Sequence, residues 1–81
     1  MILPLINLNG SDAMDLALQY NKATNLLDEA IRAMGSIIHG RDYPTGEYEA
    51  AREEMNERIA KVLAVREEIQ TITLHCMDSN R

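Results

Sequence analysis

The chain reads as an all-α protein: an antiparallel two-helix hairpin with an apolar N-terminal arm, its core completed by self-association into a helical bundle. Three observations predict this. Apolar residues recur at alternating gaps of four and three along two long stretches, the period of one helix face. A short segment rich in glycine, with one proline, separates the two stretches. The apolar residues are Leu, Ile, Ala, Met and Val, with no Trp or Phe, and these pack helices well.

The elements are expected in this order: an arm over 1–10, a first helix over 11–39, a loop over 40–46, a second helix over 46–74 and a tail over 75–81. All belong to one domain, since 81 residues suffice for one and no more.

In the arm, Pro4 interrupts any early helix, and Ile6-Asn7-Leu8-Asn9 alternates apolar with polar, as an extended segment does. Its apolar side chains need cover, from their own hairpin, a neighbouring subunit or a host protein. Met1 to Leu8 has no basic flank and is far too short to span a bilayer. A cytoplasmic protein without membrane contact is expected.

Asn9-Gly10-Ser11-Asp12 marks the start of the first helix. Ser11 or Asp12 can cap its first N–H groups. Leu16, Tyr20, Ala23, Leu27, Ala30, Met34 and Ile37 form a heptad seam. Ala17, Thr24, Ile31 and Ile38 run beside it, and Leu26 widens the stripe. So wide a face exceeds what one antiparallel helix covers. Gly35 is either a weak spot near the helix end or a place where another backbone comes close.

Gly40 suits a left-handed residue after the first helix. His39 is placed in the last turn, facing the negative helix end. Pro44 forces Tyr43 out of the α region. Thr45 is the expected cap of the second helix. Its buried row is Ala51, Met55, Ile59, Val62, Val65, Ile69 and Ile72, with Tyr48 at the start. The tail is expected to fray after Met77.

The charge of −5 disfavours duplex DNA or RNA, which calls for a basic surface. A small anionic ligand stays open, because a few local cations and backbone N–H groups can hold one. An enzyme is not expected. His75 and Cys76 are neighbours on a helix and point about 100° apart, and no base–orienter pair is in sight. His39 and His75 fall at opposite ends of a hairpin, so no metal and no cofactor is expected.

The loop concentrates chemistry. Arg41, Asp42, Tyr43 and Thr45 follow His39 within a few residues. Arg pairs with phosphate, Tyr stacks on a base, and the N–H groups at the start of the second helix favour an anion. The same residues also fit a plain turn, with Asp42 capping, Arg41 answering it and Tyr43 packing beneath.

The Tyr43-Pro44-Thr45-Gly46 turn, leading into a helix with Ala51-Arg52, resembles the loop of small phage helical proteins, among them the anti-CBASS sponges that sequester cyclic oligonucleotide signals. The resemblance covers the loop and the first turns of the second helix. The whole chain, with its His39-to-Pro44 segment, is similar to short prophage proteins as well, while the leading arm departs from the sponge pattern. The sponge resemblance implies an oligomer with ligand pockets between subunits, and adds Tyr20, Lys22 and Arg52 as contacts. The expected function is a non-enzymatic phage accessory protein that counters host defence by holding a cyclic-nucleotide-type signal. The alternatives are a module that inhibits or adapts a host protein, and a structural helical dimer.

Overall fold

The computed structural model describes residues 1–5 and 12–79. Two helices dominate: α1 over Ala13–Ser36 and α2 over Tyr48–Ser79, joined through a short 3-10 turn over Gly40–Asp42. Among the described residues there is no strand. The expected all-helical hairpin is therefore the observed fold. The expectations for Ile6 to Ser11 and for the last two residues concern positions outside the described residues.

Asp12, one of the two candidate caps, holds the cap position. Its carboxylate accepts from the Asp15 N–H at 3.4 Å, and its carbonyl accepts the first helical bond from Leu16 at 3.0 Å. The first helix ends at Ser36, whose hydroxyl donates to the Ala33 carbonyl at 2.9 Å. The sequence extended this helix through His39. Instead His39 is extended, at φ −121° and ψ 136°, and leads into the 3-10 turn. It therefore does not sit in the last helical turn.

The left-handed glycine is also not the expected one. Gly46, at φ +91°, has the positive φ and Gly40 does not. The Glu47 N–H donates to the Pro44 carbonyl at 3.0 Å, so Pro44 to Glu47 form a tight turn of the type that needs a positive φ at its third residue. Glu47, not Thr45, then holds the cap position, since its carbonyl accepts the first bond of α2 from Ala51 at 3.0 Å.

The seam is rotated from the expected one. On α1 the inward residues are Ala17, Tyr20, Thr24, Leu27, Ile31 and Met34, with Ile38 following just past its end. The row predicted beside the seam is thus half of it. Ala30 and Ile37 face outward, Ile37 with 57% of its surface exposed. On α2 the corresponding change is at Val65, which is 48% exposed, while Arg66 takes the inward place.

Arg66 spans the two helices. Its Nε donates to Asp28 at 3.0 Å and one terminal nitrogen donates to the second Asp28 oxygen at 3.4 Å. The other terminal nitrogen reaches Glu67 at 3.3 Å and Gln70. The hydrogen bond it donates to Asp28 raises the pKa of the guanidinium above its already high ordinary value. Its charge persists at every working pH.

Packing is tightest at the end away from the loop. Ala13, Ala17 and Cys76 are the buried apolar residues there, with Thr73 beside them. At this end α2 continues through Cys76 to Ser79, past the expected limit. Buried Thr24 and Thr73 satisfy their hydroxyls on carbonyls one turn back, Tyr20 at 3.2 Å and Ile69 at 3.1 Å. Of the arm, the Pro4 carbonyl lies 2.9 Å from His75 Nε2, while Ile2 and Leu5 remain 94% and 83% exposed.

Three outcomes are expected. Replacing Asp28 with Ala lowers the thermal midpoint followed by circular dichroism. Replacing Glu54, whose ion pair with Arg58 at 3.6 Å lies in solvent, changes it little. Gly46→Ala destabilises by about 1–2 kcal/mol, because a Cβ is strained at positive φ. An unchanged denaturation midpoint contradicts that turn assignment.

Candidate functional site

Antiparallel pairing brings the last turn of α1, the loop and the first turns of α2 to one end. Gly35 has no side chain, and a Cβ built on it would meet nothing within 4 Å. Of the two readings of this glycine, close approach of another part of this chain is therefore not what it serves. It leaves a hollow of about 260 Å³ lined by Gly35, Ile38, Tyr48, Arg52, Met55 and Asn56.

This hollow has the chemistry of a small anion site with an aromatic wall. Tyr48 is half-buried, and Gly40 lies against its ring, at 3.8 Å from where a Cβ would stand. Arg52 is exposed, and among the described residues no carboxylate pairs with it. Asn56, one turn further along α2, supplies both donors and an acceptor. The apolar floor comes from Ile38 and Met55.

A second hollow, of about 320 Å³, lies nearby and is lined by Tyr43, Glu47, Ala50, Ala51 and Glu54. Its two carboxylates oppose an anion. Tyr43 and Arg52, both expected at one site, thus line different hollows on different sides of α2.

Arg41, Thr45 and His39 are exposed at the loop. They remain at the same end of the molecule as Arg52. Tyr20 and Lys22 do not. Tyr20 stands sixteen residues before the end of α1, about 24 Å along the axis, and lies half-buried in the seam. Lys22 is exposed at the same remote level. Within one chain these two cannot share a ligand with the loop.

Sequence reasoning missed Tyr48 and Asn56 as site residues. Tyr48 looked like the start of a buried row, and Asn56 carries no signal of its own. Only the gap at Gly35, across the seam, sets either beside a hollow.

Among the described residues no group of three or more His, Cys, Asp or Glu could hold a metal ion, and no helix is long and apolar enough to cross a membrane.

Gly35→Ala tests the openness of this hollow. The added methyl has room, and the helix gains up to about 1 kcal/mol, so the melting midpoint should rise. A fall shows that something occupies the space. In comparisons with known proteins, no family model, no curated protein and no solved structure matches this chain.

Proposed function

We propose that this hairpin is a non-enzymatic binding module that assembles with copies of itself and holds a small anionic, base-containing ligand of the cyclic-nucleotide type at its loop end. One observation carries the reading: Arg52, with no carboxylate partner among the described residues, stands beside Tyr48 and Asn56 around the Gly35 hollow. An acidic chain that leaves such a cation next to an aromatic wall favours an anion there. The loop adds Arg41 and the exposed hydroxyl of Thr45 at the same end.

Size bears on the stoichiometry. Pockets for drug-sized ligands measure about 300–1,000 Å³, and this hollow is about 260 Å³. The hollow therefore takes one part of a cyclic dinucleotide, and each copy in the assembly carries its own such hollow. Tyr20 and Lys22, remote along α1, stay outside that contact. Holding without chemistry matches the sponge-like phage role expected from the Tyr43-Pro44-Thr45-Gly46 turn.

A second reading, docking on a host protein, is favoured by the arm, where Ile2 and Leu5 expose almost their whole surface.

Thermal-shift titration with cyclic di- and trinucleotides decides between them. Binding at a hundred times the Kd stabilises by about 2.7 kcal/mol, and the nucleotide should be recovered unchanged. Arg52→Ala should weaken binding about tenfold or more, since a hydrogen bond to a charged group contributes about 1.5–3 kcal/mol, while helicity stays the same. No shift with any nucleotide overturns the reading and leaves the exposed arm as the better guide.

A further inference from the structure

The two broad faces of the hairpin differ. Residues seven apart on a helix in a supercoiled pair stay on one face. On one side of the seam, α1 presents Leu16, Ala23 and Ala30, continued by its C-cap Ile37, and α2 presents Ala51, Arg58, Val65 and Ile72. Leu26 and Ala33 flank the α1 row, and the exposed Glu54, Lys61 and Glu68 flank the α2 row at the outer edge. The two rows themselves contain one charge, Arg58. Yet Leu26, Ile37 and Val65 are 54%, 57% and 48% exposed.

The other side presents Met14, Asn21, Asp28 and Gly35 on α1, and Asn56, Leu63, Gln70 and Met77 on α2. The Asp28–Arg66 ion pair and the Gly35 hollow open here. Its apolar groups gather at the end near Met14 and Met77, and polar groups interrupt the rest.

We infer that the face carrying Leu16, Ala23, Ala30 and Ile37 is the interface with a second copy of this chain, which leaves the Gly35 hollow open on the opposite side. The inference rests on the self-association in the proposed function and names the surface that performs it.

Area supports a partner of this size. A folded monomer of 9.1 kDa exposes about 4,900 Å², and this chain exposes 6118 Å². The excess, to which the exposed arm residues Ile2 and Leu5 also contribute, is larger than the roughly 800 Å² that each partner buries in a standard interface. The shape agrees. The radius of gyration is 17.7 Å, against about 12 Å for a compact chain of this length.

Symmetry points to a second copy. The α1 row runs large, small, small, large, and is unchanged when read end for end. A two-fold axis crossing it between Ala23 and Ala30 sets Leu16 of each copy near Ile37 of the other. The alanines then meet in the middle, where helices can approach closely. A two-fold interface requires such self-complementarity.

Sedimentation equilibrium on the full chain, with circular dichroism in parallel, tests this. Ala23→Glu and Ala30→Glu should each weaken association at least tenfold. Leu18→Glu and Leu63→Glu, on the other side, should leave the mass unchanged. Because a charged alanine variant could lose its fold along with its partner, Leu26→Lys at the rim of the same face provides a milder probe. It should weaken association while keeping helicity. An oligomer that survives the three variants on the alanine face but dissociates with Leu18→Glu or Leu63→Glu overturns the interface and leaves self-association standing. A well-folded wild-type monomer overturns self-association itself.

Discussion

The ion pair between Asp28 and Arg66 sets the register on which the rest of this molecule depends. A seam of small and aliphatic residues is slippery, because shifting one helix by a heptad replaces one apolar layer with another. Arg66 removes that freedom. Its guanidinium lies in the half-buried seam, with its side chain 22% exposed, and only Asp28 across the seam answers it with two oxygens. In any other register this charge would lose its partner, which is costly even in a partly buried place. The register it selects sets Gly35 opposite Arg52 and Asn56, and so creates the hollow at the loop end. It also places Ala17 opposite Thr73 at the far end.

Much of the fold was legible because it is written locally. Asp12 as a cap, Pro44 as a break and the two apolar stretches each follow from a few neighbouring residues. The rotation of the seam was not legible. On α1, three apolar columns lie side by side: one through Leu16 and Ala23, one through Tyr20 and Leu27, one through Ala17 and Thr24. Period alone cannot say which two face the partner helix. The answer lies on α2, where hydropathy favours Val65 but the long apolar stem of Arg66 fills the inward place and carries its charge to the edge. The same non-local cause hid the site. The loop cations and tyrosines were visible in the sequence, whereas the roles of Tyr48 and Asn56 depend on a glycine thirteen or more residues away across the seam.

The charges are distributed so that an acidic chain can still meet an anion. Glu53, Glu54, Glu57 and Glu68 are exposed along α2, where screening limits their reach to about 8 Å at physiological salt. Arg52 stands within the first two turns of that helix, close to its positive end. Glu47 and Glu54 surround Tyr43 instead. The two tyrosines near the loop therefore sit in opposite electrostatic settings, and only Tyr48 shares its hollow with a cation.

The best-buried residues lie at the open end of the hairpin, not at its turn. Ala13 and Ala17 come early in the chain and Cys76 comes late. In most helical hairpins, contacts near the turn close the smallest loop and form first. Here the tightest contacts close nearly the longest loop the chain allows, so they lose the most chain entropy and form last. The molecule is latched at its free ends. Slowest amide exchange should therefore collect around Cys76 and Ala17, while the last turn of α1, loosened by Gly35, opens independently beside the hollow. A ligand entering there meets the part of the chain that yields at the lowest free energy, with the far end holding the two helices together.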